Sequence, residues 1–96
     1  MLKCTLISRP SRATLQILSR KLYDSALRAQ IEERPPEAVG VCQGTVLEIL
    51  QASDITENTA DVMTGELGGS CPQHMTCLVI FGRISAVRAA LEAIET

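Results

Sequence analysis

Aromatic residues are nearly absent from this sequence of 96 residues: Tyr23 and Phe81 are the whole set, and there is no tryptophan. The core must be built from aliphatic side chains, and a stacking platform for single-stranded nucleic acid is not available. Histidine occurs once, as His74, and no carboxylate has a spacing that places it beside that ring. No Lys-Ser/Thr pair follows the glycines, so no phosphate-binding loop is present either. These absences argue against an enzyme.

Long apolar runs are also missing. No stretch approaches the ~18 apolar residues of a membrane span, and residues 1–10 lack the apolar segment of a secretory signal. Four cysteines are present: Cys4, Cys42, Cys71 and Cys77. We therefore expect a cytoplasmic protein whose thiols are reduced and either buried or bound to metal, with no membrane partner.

The charges are few and unevenly distributed. The net charge is −2, which argues against binding to nucleic acid. Residues 1–30 hold six Lys/Arg against Asp24 alone, whereas residues 31–82 hold Arg34 against eight Asp/Glu. Such a subunit suits self-association or an acidic partner, and an ordinary solvated surface is the other interpretation.

The hydrophobic pattern predicts one domain over residues 1–96, a small α/β (α+β) fold. Residues 75–81 are apolar on both faces, as expected for a central strand covered on both sides. The predicted elements are a strand over 2–8, a helix from 12 to about 29, a linker at 32–37, a strand from 38, a helix over 45–58, a strand over 62–67, a loop at 68–74, the central strand, and a last helix capped by Ser85 and running to Ile94.

The end of the chain resembles the bacterial microcompartment shell domain (BMC domain). That family is marked by a central strand, a glycine and a helix reading roughly G-D-V-x-A-V-x-A-A-x-x-A. The sequence from Leu78 to Ala93 follows this pattern, with Arg83 in place of the usual acid. The matching residues are Gly82, Ile84, Ala86, Val87, Ala89, Ala90 and Ala93.

The resemblance implies a single circularly permuted BMC domain with a central antiparallel sheet flanked by helices. Residues 38–96 would form the core unit, and residues 1–31 would be a relocated strand-helix element. The family builds homohexamers with a central pore, which assemble with other shell proteins into the shell of a cytoplasmic bacterial microcompartment. Shell tiles usually carry a lysine late in the first helix of the core unit, and residues 57–61 contain none.

The loop from Gly69 to Gln73 is similar to that of the iron–sulfur-binding shell proteins of glycyl-radical propanediol microcompartments. That resemblance implies a pore loop formed by Gly68, Gly69, Ser70, Pro72 and Gln73. It also implies that Cys71 is a metal ligand, with a [4Fe-4S] cluster shared between subunits and used in electron transfer.

Considered without the family, Cys71, His74 and Cys77 form a Cys-x-x-His-x-x-Cys set of metal-binding donors. A strand beginning at Met75 would carry Cys77 roughly 10 Å from His74, so we expect Cys77 to be a small buried residue. We expect the same of Cys4 and Cys42. His74 is a metal ligand, a hydrogen-bond donor to a ligand of the metal, or a solvated loop residue. Two alternatives stay open: a stand-alone thiol or metal-binding redox protein using Cys71 and His74, and a shell tile with an inert Cys71.

Overall fold

The computed structural model describes residues 2–68 and 75–95. In chain order the elements are β1 (Lys3–Ser8), α1 (Arg12–Lys21), α2 (Ser25–Glu33), β2 (Ala38–Thr45), α3 (Val46–Thr59), β3 (Met63–Leu67), β4 (Met75–Gly82) and α4 (Ile84–Glu95). The strands form one sheet in the order β1-β2-β4-β3, and every neighbouring pair is antiparallel. None of these helices is both long and apolar enough to cross a membrane.

The two middle strands, β2 and β4, bury side chains on both faces of the sheet. Along β4, Leu78 and Ile80 join the core shared with α3 and α4, whereas Val79 and Phe81 join the core shared with α1 and α2. Because β4 is covered on both faces, apolar side chains predominate along it, and Thr76 is the polar exception. The predicted central strand and the antiparallel sheet with flanking helices are confirmed.

Local sequence determines where α3 begins. The backbone N–H of Thr45 donates to Glu48 Oε1 at 2.9 Å, and the N–H of Glu48 donates to Thr45 Oγ1 at 3.2 Å. This reciprocal arrangement is a capping box, which satisfies two backbone donors that the first turn leaves without helical partners. The predicted helix over 45–58 is confirmed, with Thr45 as its cap.

Residue 40 controls how closely α4 approaches the sheet. A Cβ atom at Gly40 would lie 3.1 Å from Val87 Cγ1 and 3.3 Å from Leu91 Cδ2, which is closer than ordinary van der Waals contact. Because glycine has no Cβ, the two apolar side chains of α4 rest directly on the backbone of β2.

The predicted single helix from residue 12 to about 29 is wrong, because the structure has two helices there. The chain leaves the helical conformation at Leu22, which is extended (φ −72°, ψ 130°) and forms an isolated bridge with Leu67 at the outer edge of β3. Asp24 then accepts hydrogen bonds from two N–H groups of the next turn and caps α2. Burial of Leu22 against the sheet and a new cap thus replace a continuous helix.

The predicted linker at 32–37 also begins later than expected. Glu32 and Glu33 form the end of α2, and Ser19 Oγ donates to Glu32 Oε1 at 2.8 Å, which ties the two helices together. Glu37 Oε1 accepts the backbone N–H of Ile84 at 2.9 Å. Helix α4 therefore begins at Ile84, one residue before the predicted cap Ser85, and its first turn is satisfied from the linker.

Candidate functional site

The candidate site lies at the connection between β3 and β4, two neighbouring antiparallel strands. The last described pair in their register joins Leu67 to Cys77, so the connecting loop projects from one end of the sheet. Of the predicted loop residues, only Gly68 is among those that the structure describes. The others lie outside the described residues: Gly69, Ser70, Cys71, Pro72, Gln73 and His74.

The base of this loop is attached to the junction between α1 and α2. The N–H of Gly68 donates to the carbonyl of Lys21 at 2.6 Å, and the N–H of Tyr23 donates to the carbonyl of Glu66 at 3.2 Å. With the bridge between Leu22 and Leu67, these bonds continue the sheet by one short segment beyond β3. The point at which the loop leaves the fold is therefore held by the α1–α2 junction.

The Tyr23 ring lies directly over Gly68. A Cβ atom at residue 68 would come within 2.8 Å of Tyr23 Cζ and 2.9 Å of its hydroxyl oxygen. Tyr23 is otherwise 68% exposed, so its ring covers the loop base without being buried itself. Any larger residue at 68 would displace either the ring or the start of the loop.

A second contact joins β3 to β4 beside the loop. Thr76 Oγ1 donates to Glu66 Oε2 at 2.6 Å, and the Thr76 side chain is buried. Hydrogen bonds to a carboxylate are short and comparatively strong. This bond holds together the two strands from which the loop extends.

Cations surround the loop base on the α1–α2 side. A cleft of about 430 Å³ is lined by Leu22, Tyr23 and Gly68 together with the cations Arg20, Lys21 and Arg28. Two hydrogen bonds fix the Arg28 guanidinium. Its Nε donates to the Ser19 carbonyl at 2.8 Å, and its Nη2 donates to the Leu22 carbonyl at 2.5 Å. A larger groove of about 870 Å³ lies between α1 and α2, away from the loop.

The described cysteines do not form a metal site. Cys42 is fully buried, as expected, whereas Cys4 and Cys77 are half-buried. Cys77 pairs with Leu67 and faces the opposite side of the sheet from Leu78. Within residues 2–68 and 75–95, no three or more His, Cys, Asp or Glu side chains are grouped as a metal site would require.

Three residues of this region were not singled out from the sequence. Tyr23 and Glu66 hold the loop base, and Thr76 ties its strands together. None of them belongs to a recognisable motif. The roles of Tyr23 and Glu66 come from the bridge between the α1–α2 junction and β3, and that of Thr76 comes from the pairing of β3 with β4. No local sequence pattern indicates either contact.

No model of a known protein family matches the chain, and no curated protein does. Among solved structures, the GrpU microcompartment shell protein from Pectobacterium wasabiae is 30% identical, with a TM-score of 0.76. The match covers 98% of this chain and 100% of that one. The chain belongs to the bacterial microcompartment shell proteins. It is therefore a structural protein and not an enzyme, as the sequence predicted.

Two further solved shell proteins are similar in fold to this chain. This shell protein is 26% identical to the GrpU microcompartment shell protein from a Clostridiales bacterium, with a TM-score of 0.72 over 98% of this chain and 88% of that chain. The fused permuted hexameric shell protein of the RMM microcompartment is 19% identical, with a TM-score of 0.70. That match covers 96% of this chain but 42% of the fused protein, and it shows the likeness of fold alone.

Proposed function

We propose that this shell protein is a circularly permuted BMC domain that assembles as a homohexamer around a central pore. The β3–β4 loop lines that pore, and copies of Cys71 from different subunits hold a [4Fe-4S] cluster there. The cluster transfers single electrons across the shell of a cytoplasmic microcompartment of the glycyl-radical propanediol type. The other partners are further shell proteins.

The observation that carries the proposal is that hydrogen bonds hold the base of the β3–β4 loop in a fixed position. The loop connects two paired strands at one end of the sheet. At its base, the N–H of Gly68 donates to the carbonyl of Lys21. Glu66 accepts the N–H of Tyr23 at its carbonyl and the hydroxyl of Thr76 at its carboxylate. A loop that contributes to a shared site has to leave each subunit at the same place, and these bonds supply that constraint. The fused shell protein of the RMM microcompartment, which is similar in fold, is permuted and hexameric, and this supports a permuted hexamer for this chain.

The chemistry of the donors requires more than one subunit. An iron–sulfur cubane is usually held by four thiolates, and the loop of one chain offers Cys71 alone. No cluster of donors elsewhere in the described residues could complete the set. Rotational symmetry around a pore brings together equivalent thiolates from several chains.

The cations at the loop base favour the same chemistry. Nearby Lys and Arg side chains stabilise the thiolate form of a cysteine, which is the form that ligates metal. Arg20 and Lys21 line the cleft next to Gly68, and Arg28 is locked beside them. They would also compensate the negative charge of a cluster bound by thiolates.

The experiment is anaerobic reconstitution with iron and sulfide, followed by visible absorbance, iron and sulfide analysis, and light scattering. Wild-type protein is compared with Cys71→Ser and with the matched control Cys77→Ser, whose thiol lies in β4. We expect broad visible absorbance and bound iron in wild type and in Cys77→Ser, both lost in Cys71→Ser. Light scattering should give a hexamer for all three proteins.

The outcomes separate the parts of the proposal. A hexamer without colour would contradict the cluster and leave a structural tile with an inert Cys71. A coloured monomer would contradict the pore and favour a stand-alone metal-binding protein that uses Cys71 and His74. Colour that is lost in Cys77→Ser but retained in Cys71→Ser would show that Cys77 binds the cluster and would contradict the assignment of Cys71.

A further inference from the structure

Two cysteines far from the β3–β4 loop face each other across the first two strands. The register of β1 and β2 places Cys4 directly opposite Cys42. Both side chains point to the same face of the sheet, since Cys42 is part of the core beneath α3 and α4 and Cys4 packs against that core. Neither residue belongs to the site described above.

Their separation suits a covalent bond between the sulfur atoms. Directly opposed residues of an antiparallel pair have Cα atoms about 4.5–5.5 Å apart, which is within the roughly 4.4–6.8 Å spanned by disulfides. The register and the shared core face already place the two side chains next to each other. A bond between them would therefore need no large movement of the backbone.

The two thiols differ in their access to solvent. Cys42 is fully buried, whereas Cys4 is half-buried on β1, an edge strand of the sheet. Burial, followed by the effect of the neighbouring Cys4 thiol, raises the pKa of the Cys42 thiol far above its ordinary range. Cys4 is consequently the thiol that reacts first with a dissolved reagent, and the buried Cys42 can react afterwards with the modified Cys4.

We propose that Cys4 and Cys42 are a modification site that forms a reversible disulfide with a low-molecular-weight disulfide as oxidant. The Cys4 thiolate attacks one sulfur of the oxidant, which releases one small thiol and leaves a mixed disulfide on Cys4. Cys42 then loses its proton and attacks the Cys4 sulfur, which releases the second small thiol. The two protein thiols lose two electrons, and the oxidant is reduced to two thiols.

The bond would join the N-terminal element of the chain to the rest of the fold. The segment between the two cysteines contains α1 and α2, so the disulfide closes a long loop and restricts the unfolded chain. Oxidation should therefore raise the Tm of the subunit and hold β1 on the sheet. This inference is independent of a cluster at Cys71.

The direct test is disulfide mapping on wild-type protein after incubation with glutathione disulfide under native conditions. Free thiols are blocked with N-ethylmaleimide in denaturant, and the chain is cut with trypsin and a glutamate-specific protease. Cleavage places Cys4 on residues 4–12, Cys42 on residues 38–48, and the other two cysteines on residues 67–83. We expect a peptide that links 4–12 to 38–48, two hydrogens lighter than the reduced pair, and its loss after dithiothreitol.

Variants provide the matched comparison. The linked peptide and the rise in Tm should be absent from Cys4→Ser and Cys42→Ala and retained in Cys77→Ser. The wild-type mapping does not depend on these variants folding. Complete maleimide labelling of both thiols, glutathione left on Cys4 without a link to Cys42, or a link from Cys4 to residues 67–83 would each overturn the proposal.

Discussion

At the residue scale, the carboxylate of Glu48 helps to cap helix α3, and this contact changes its pKa. It accepts the backbone N–H of Thr45 at 2.9 Å, and this bond is the main reason that the pKa of Glu48 is lowered. The hydroxyl of Thr45 and the backbone of Leu2 act in the same direction. The ionised form is thus favoured by folding, so proton uptake at Glu48 works against the folded state.

The pH dependence of stability follows from this sign. Because the pKa is lower in the folded chain, the contribution of Glu48 is fully present above 4.5, its ordinary pKa, and is lost as the pH falls through the folded value. We expect the difference in free energy of unfolding between wild type and Glu48→Gln to shrink on acidification below 4.5. Urea unfolding at several pH values measures it, with Glu33→Gln, an exposed carboxylate, as control. A difference that stays constant with pH would contradict the prediction.

At the scale of elements, two helix boundaries depend on residues distant in sequence. Helix α1 ends where Leu22 joins the edge of β3, and that side chain is only 2% exposed. Helix α4 begins where Glu37 reaches across to the N–H of Ile84. A carboxylate at a helix N-terminus satisfies a free donor and interacts favourably with the helix dipole.

The α4 cap gives a prediction at this scale. Glu37→Ala leaves the Ile84 N–H to water and should lower the free energy of unfolding by about 1 kcal/mol, the usual cost of losing a helix cap. Glu37→Gln keeps an acceptor oxygen and should lose less. Chemical denaturation measures both, and Glu33→Ala is the control because it removes a carboxylate from a helix end without capping another helix. Equal effects of Glu37→Ala and Glu33→Ala would rule out this role for Glu37.

At the scale of the whole molecule, the subunit leaves a large apolar surface in water on α3. Leu47 is 77% exposed and Leu50 is 64% exposed, and their spacing of three residues places them on one face of the helix. Val46 is also partly exposed beside them. Contiguous apolar surface on a small subunit is typical of an interface. We expect a second copy of the chain to cover this face in the proposed homohexamer.

The corresponding prediction concerns assembly. Burying one leucine side chain contributes roughly 1.5–3 kcal/mol, so Leu47→Glu should weaken subunit association by about tenfold or more. Light scattering over a dilution series should show dissociation at higher concentrations than for wild type. Ile17→Glu, an exposed apolar position on α1 on the other side of the sheet, should leave assembly unchanged. Identical dissociation of wild type and Leu47→Glu would place the α3 face outside the interface.

Much of the fold could be predicted from local patterns. The apolar run from Met75 to Phe81, the helical pattern from Thr45 and the strand before Ser8 each correspond to an observed element. The motif from Gly82 to Ala93 pointed to the shell-protein family, which the structural neighbours confirm. The candidate ligand Cys71 also came from the sequence, through its loop composition and the family resemblance, and it stays a prediction.

The rest was decided by contacts between residues far apart in the chain. Helical periodicity continues through residues 22–24, yet the helix ends there, where Leu22 is buried and bridges to Leu67 at the edge of the sheet. The cap of α4 from Glu37 and the opposition of Cys4 and Cys42 arise only when strands pair in register. Sequence alone determined most of the elements and the family, since both rest on local spacing, but it did not show that the first predicted helix is two helices. Tertiary structure determined the helix boundaries, the anchoring of the loop and the thiol pair, since each of these needs two segments that only folding brings together.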